Sequence, residues 1–192
     1  MLLLAATGVA LAADLSGTDS NDLIRAGSTA DTIYGYDGAD ALLGKAGNDT
    51  LYGGLGDDNQ KTSLYDEVEK EYVGAGVRGG GGDDTIYGQE GDDDIEGNAG
   101  REIVSDTSPN DADRAWGGSE NDALDVADGD TADRAACGED PAGRRAKPDR
   151  DRARIDVFRG ADNKITAADK VASNCEVVTD QAGRRVDVSK LP

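Results

Sequence analysis

The sequence contains no histidine. That absence removes Ser-His-Asp and Cys-His catalysis and the common zinc enzymes, all of which use an imidazole. Neither H-E-x-x-H nor G-x-S-x-G occurs. Bulky apolar side chains are scarce too. One Phe, one Trp and 4% aromatics leave too little matter for a thick core. Bases are outnumbered, 20 against 40 acids, for a net charge of −20. Such a chain repels phosphate, which argues against nucleic acid as a partner. The apolar run "MLLLAATGVALAADL" at the N-terminus is too short to cross a bilayer, so no membrane span is expected. High charge with low hydrophobicity marks chains that cannot fold unaided.

What is present is order. The 27 glycines and the aspartates keep a register that random disorder would not produce. Asp31, Asp40, Asp49 and Asp58 are nine residues apart, as are Gly35, Gly44 and Gly53, and Gly38, Gly47 and Gly56. Nine matches neither the period of a helix nor that of a simple strand, so it marks an internal repeat. The unit reads G-G-x-G-x-D-x-U-x, with U a large aliphatic. U falls at Ile24, Ile33, Leu42 and Leu51, each two residues after Asp22, Asp31, Asp40 and Asp49. Gln60 then occupies U. After a one-residue deletion the rail resumes at Val68, Val77, Ile86, Ile95 and Val104, with Asp66, Asp84, Asp93 and Glu102 two residues ahead of four of them. Ala75 stands where the aspartate of the Val77 unit belongs, so that turn is expected to carry no ion. A last clear unit, "GGSENDALD", holds Gly117, Gly118, Asp122 and Leu124.

Each position has a physical reason. Glycines permit positive φ and close backbone approach in tight turns. Thr-Ile-Tyr at 32–34 and 85–87, and Thr-Leu-Tyr at 50–52, are good strand formers. Turn carbonyls beside an Asp carboxylate offer the hard oxygens that calcium takes six to eight at a time. A cation there would neutralise the carboxylates and so permit folding. Sharing of ions between stacked turns should pair Asp22 with Asp40, Asp31 with Asp49 and Asp40 with Asp58.

These units resemble the RTX, or hemolysin-type, calcium-binding nonapeptide repeats, most closely at "GKAGNDTLY", "GGLGDDNQK", "GGGGDDTIY" and "GQEGDDDIE". The resemblance spans roughly residues 17 to 125. It implies an all-β fold, a right-handed parallel β-roll with several calcium ions in its glycine-aspartate turns. The implied ligands are Asp22, Asp31, Asp40, Asp49, Asp58, Asp84 and Asp93, with turn carbonyls around Gly38, Gly47, Gly53, Gly56, Gly80, Gly82 and Gly91. "AGSTADTIY" has Thr29 where the second glycine belongs, so the first sites are expected to be weaker.

The chain divides accordingly. Residues 1–12 read as a signal peptide ending in the A-x-A pattern of Ala10 to Ala12, although no basic residue precedes Arg25. The alternative is a buried apolar strand at the end of the roll. Residues 13–104 are the roll, with degenerate turns near 62–78. Residues 105–192 are expected to be irregular degenerate turns. In this region "DGDTADRAACGEDP" and "AADKVASNCEVV" resemble the tails of secreted, actinobacterial-type calcium-binding proteins. That likeness implies a disulfide between Cys137 and Cys175 stapling a cap; two free thiols are the alternative. The basic stretch 141–156 reads as a solvated loop, or as a patch for an anionic surface polymer.

Two motifs are decoys. "GAGVRG" at 74–79 matches a dinucleotide fingerprint, but a turn and a strand follow it instead of a helix. "DDDIEGNAGREI" imitates an EF-hand loop but ends on Ile103, with Glu102 one place early. The expected function is a secreted, extracellular or cell-surface calcium-binding module without catalysis. The alternatives are an accessory or remnant domain of a secreted enzyme or toxin, and ice binding through Thr32, Thr50 and Thr85. Ala41, Glu67, Gly76 and Asp94 interrupt that threonine row in the sequence.

Overall fold

The computed structural model describes the backbone of residues 3–5 and residues 12–59, 61–66, 69–109, 111–138, 151–159, 164–171 and 175–191. Successive units place one short strand each, alternately on two parallel eight-stranded sheets. The first sheet stacks Leu3–Ala5, Leu23–Arg25, Ala41–Ala46, Gly76–Gly81, Asp94–Ala99, Arg114–Ser119, Arg134–Ala136 and Lys170–Val171. The second stacks Asp14–Ser16, Thr32–Asp37, Thr50–Leu55, Thr85–Glu90, Ile103–Ser105, Ala123–Asp125, Arg152–Ile155 and Val177–Asp180. Two nine-residue units make one coil, so equivalent residues lie 18 apart, as Asp22 and Asp40 do. This is the parallel β-roll that the repeat implies.

The aliphatic rail is the core. Ile24, Leu42, Val77 and Ile95 from the first sheet meet Ile33, Leu51, Ile86 and Val104 from the second, all with no exposed surface. Burial of each side chain contributes about 1.5–3 kcal/mol. The core is only two side chains thick, which is why so few aromatics suffice.

The roll departs from expectation in its middle. The described residues near 62–78 do not form a degenerate roll turn. Ser63–Asp66 and Glu71–Gly74 form an antiparallel hairpin outside the roll, which resumes at Gly76–Gly81. Asp49 and its partner Asp84 are consequently 35 residues apart. Leu64 and Val73 of the hairpin cover Leu23 and Ala41 on the outer side of the first sheet. Arg25 pairs there with the buried Asp66. Gln60 and Val68 lie outside the described residues.

Beyond residue 104 the strands of the roll continue, joined by turns of irregular length, as from Asp122 to Asp151, 29 residues apart. The coil lengthens to 20 residues, from Asp93 to Asp113 and on to Asp133. Ala115, Leu124, Ala135, Ala153 and Val178 extend the core. Of the expected 141–156 loop, residues 141–150 lie outside the described residues. Residues 152–155 form a strand of the second sheet, with Ala153 and Ile155 buried. Cys137 and Cys175 are joined as a disulfide, Cα to Cα 5.1 Å, inside the end of the core. Val186, Val188 and Leu191 pack across that end.

At the other end, the Leu3–Ala5 backbone pairs in parallel with Leu23–Arg25. Residues 1–2 and 6–11 lie outside the described residues. Among the described residues no helix is long and apolar enough to cross a membrane.

Candidate metal centres

Each edge of the roll, where the chain passes between sheets, carries one column of turns. One edge stacks Asp22, Asp40, Asp58 and Asp93, the other Asp31, Asp49 and Asp84. The expected pairs are therefore neighbours. The link between them is a hydrogen bond: the backbone N–H of each aspartate donates to Oδ1 of its partner one coil on. The distances are 2.7 Å for Asp22 to Asp40, 2.8 Å for Asp31 to Asp49, 2.7 Å for Asp40 to Asp58 and 2.8 Å for Asp58 to Asp93.

The second oxygens are the informative ones. Oδ2 of Asp40, Asp49, Asp84 and Asp93 is buried and receives no hydrogen bond. Each lies against the first glycine of its own turn. A methyl group placed on Gly35 would strike Asp40 Oδ2 and the Gly53 carbonyl oxygen. One on Gly44 would strike Asp49 Oδ2, 2.6 Å away, and the Gly79 carbonyl. One on Gly53 would strike Asp58 Oδ2, also 2.6 Å away, and the Gly88 carbonyl. Carboxylate and carbonyl oxygens thus converge on small cradles that only glycine keeps open. An all-oxygen donor set with an uncompensated anion fits calcium and suits no softer metal.

The remaining expected glycines build the walls. Gly38, Gly56 and Gly91 stack on the first edge and Gly47 and Gly82 on the second, all with positive φ. Gly56 packs its Cα beside the Gly38 carbonyl, and Gly91 packs against that of Gly56. Gly80, at φ 120°, sits in the second-glycine place and packs against the Lys45 carbonyl.

Burial makes the carboxylates poor anions in the absence of a cation. Desolvation raises Asp40 and Asp49 to about 7, Asp58 to about 8 and Asp84 to about 6, against an ordinary 3.8. The backbone N–H donated to each offsets part of that rise, and neighbouring carboxylates add to it. Asp93 is pushed up further, by burial and then by Asp58.

Asp22 and Asp31 differ from the others. Asp22 Oδ2 accepts from the Thr18 N–H at 2.6 Å and the Thr18 hydroxyl at 2.8 Å. Asp31 Oδ2 accepts from the Gly27 N–H at 3.0 Å, and its Oδ1 from Ala13 and the Thr29 hydroxyl. Both therefore carry hydrogen bonds that Oδ2 of Asp40, Asp49, Asp84 and Asp93 lacks, although Asp22 Oδ2 still lies beside Gly17 and the Gly35 carbonyl as in the other cradles.

Further carboxylates gather at and beyond Asp93. Asp93, Asp106 and Asp113 bring ligand oxygens within 4.8 Å of one another, as do Asp111, Asp113 and Asp133, and Asp128, Asp130 and Asp133. Asp113-Arg114-Ala115 and Asp133-Arg134-Ala135 read in the sequence as fragments of the same turn, and a 20-residue interval joins them to Asp93 in one column. Two flanking ladders were hidden in the sequence. Asn48, Asp57 and Asp92, each just ahead of a ladder aspartate, accept from the N–H of residues 83, 92 and 112 at 3.1–3.2 Å.

No curated protein and no solved structure matches the chain. The family model described as RTX calcium-binding nonapeptide repeat (4 copies) matches residues 16–51, 35–59 and 77–101. Stacked strands, glycine cradles and buried aspartate ladders coincide with those matches, and this part of the chain is an RTX calcium-binding β-roll module.

Proposed function

We propose that the protein is a secreted calcium-binding module that folds on taking up calcium, has no catalysis of its own and serves an extracellular structural or adhesive role. One observation carries the reading: buried carboxylate oxygens without donors, at Asp40, Asp49, Asp84 and Asp93, repeat coil after coil. An isolated buried anion is costly, and a divalent cation removes that cost at every turn at once. Folding free energy and binding free energy are then the same quantity. The Cys137–Cys175 bond supports an exported protein, because disulfides persist outside the cell. The ligands are assigned to Asp40, Asp49, Asp58, Asp84 and Asp93 with the glycine carbonyls of the same columns. Calcium supplies charge neutralisation and cross-links adjacent coils.

The test is far-UV circular dichroism of the full chain in chelator, followed through a calcium titration with magnesium as control. A calcium-specific gain of β signal is expected. An unchanged spectrum would refute ion-coupled folding.

A further inference from the structure

The glycine column of the first edge ends at Asp106. Strand pairing aligns Ser16, Tyr34, Tyr52, Tyr87 and Ser105 in successive coils. The next residue is Gly17, Gly35, Gly53 and Gly88, and then Asp106. Asp106 keeps the backbone role of that place, its N–H donating to the Asp125 carbonyl at 2.8 Å. Its side chain has only one direction to go, into the cradle that the glycines leave open. There it becomes the nearest neighbour of a methyl group placed on Gly88, ahead of Asp93 Oδ2 at 2.6 Å.

Asp106 is 1% exposed, and neither of its oxygens receives a hydrogen bond. Asp93 Oδ2 and Asp113 Oδ2, from the flanking coils, are also buried without donors. Oxygens of all three lie within 4.8 Å of one another. Where the lower cradles combine a carboxylate with a neighbouring carbonyl, this one combines three carboxylates. It sits where the coil lengthens from 18 to 20 residues, at the margin of the matched repeats.

We propose that Asp106 and Asp113 join Asp93 in one three-carboxylate calcium site, filled before the other repeat cradles. The proposal rests on the reading of the roll as a calcium module and adds two ligands that the nonapeptide does not encode. Ligand charge and rigidity set calcium affinity. Three carboxylates on one ion exceed what a repeat cradle offers, and buried strands on both sides hold them. Early filling there would pin the junction between the two coil lengths and give the 18-residue coils a template to stack on.

The test is a calcium titration of the full chain against a chromophoric chelator at neutral pH, with circular dichroism in parallel. Wild type is compared with Asp106→Gly, which restores the column glycine, and with Asp106→Asn, which keeps the size and removes the charge. Wild type should bind its first ion at least about tenfold more tightly than the rest. Both variants should lose that step and still reach the wild-type β signal in saturating calcium. If Asp106→Gly fails to reach that signal, Asp106→Asn alone decides. A tight step that survives in the deciding variant overturns the proposal. So does a wild type that folds with calcium but shows a single affinity class, an outcome that leaves the roll reading intact. A wild type blind to calcium would sink both.

Discussion

The side chain that a position lacks matters as much here as the one it has. Gly53 lines a cradle into which any Cβ would drive against Asp58 Oδ2 and the Gly88 carbonyl. Gly53→Ala should therefore cost about 1–3 kcal/mol, as overpacking does, and should raise the calcium midpoint of folding followed by circular dichroism. The second-glycine position behaves oppositely. Lys45 occupies it at φ 75° and Gln89 at φ 82°, in the left-handed region that disfavours a side chain. Lys45→Gly should relieve roughly 1 kcal/mol of that strain, read as a higher melting temperature in saturating calcium. A lower one would mean that the lysine's own contacts outweigh its backbone strain. The ladder carboxylates set the response to pH. The unfolded chain releases these protons near 3.8, whereas the ion-free fold holds them up to about 7 at Asp40 and Asp49 and about 8 at Asp58. The fold thus binds more protons between those limits, and its stability falls as pH rises through them. In chelator, β signal should be greater at pH 5 than at pH 8. The calcium midpoint should move the other way, rising as the pH falls, because protons compete for the same oxygens. Equal chelator spectra at the two pH values would show that the carboxylates are not buried in the ion-free state.

At the scale of elements, each turn is clamped twice. The inner ladder runs from a backbone N–H to the carboxylate one coil onward, as from Asp58 to Asp93. The flanking ladder runs the opposite way, from the Asp92 N–H back to Asp57 Oδ1 at 3.2 Å. Opposed bonds fix the spacing of coils, so cradle geometry repeats even where sequence drifts. The second sheet carries an outward row, Tyr34, Tyr52 and Tyr87, with ring centroids 5.0 and 5.1 Å apart and nearly parallel planes. The threonine row beside it is continuous over Thr32, Thr50 and Thr85. Ala41 and Gly76, which break the row in sequence, pair with each other on the opposite sheet, whose next strand begins at Asp94. Units alternate between faces, so consecutive repeats never share a sheet. The hairpin is an element added to the roll. Leu64→Ser should expose Leu23 and Ala41 and loosen Ser63–Asp66 without disturbing the rail beneath. Hydrogen exchange should then quicken at 63–66 and hold at Ile33, Leu51 and Ile86. Loss of protection along the rail would mean that the hairpin belongs to the folding unit.

The whole molecule is a stack in which each coil touches only its neighbours, so ends and junctions decide its cooperativity. The far end is closed by Val186, Val188 and Leu191 and tied by the Cys137–Cys175 bond, whose sequence separation is 38. Such a loop constrains the unfolded chain by ~3–4 kcal/mol. The double variant Cys137→Ser, Cys175→Ser should melt at lower temperature in calcium and need more calcium to fold. An unchanged midpoint would show that the cap holds without its staple.

The nine-residue register, read in the sequence alone, determined the interior rail, the pairing of Asp40 with Asp58 and of Asp31 with Asp49, and the choice of a hard cation. Those are local consequences: a glycine turn, an aspartate and an aliphatic residue at fixed offsets specify one rung whatever surrounds it. Only the tertiary structure decided which rungs meet. It carried the hairpin out of the roll, because Leu64 and Val73 find apolar cover on Leu23 and Ala41 that no spacing rule encodes. It gave Asp22 and Asp31 hydrogen bonds from Thr18 and Gly27 that Oδ2 of Asp40, Asp49, Asp84 and Asp93 lacks. It drew Asp106 in beside Asp93 and Asp113 by stacking coils of unequal length, since proximity across a stack depends on how many residues each coil contains.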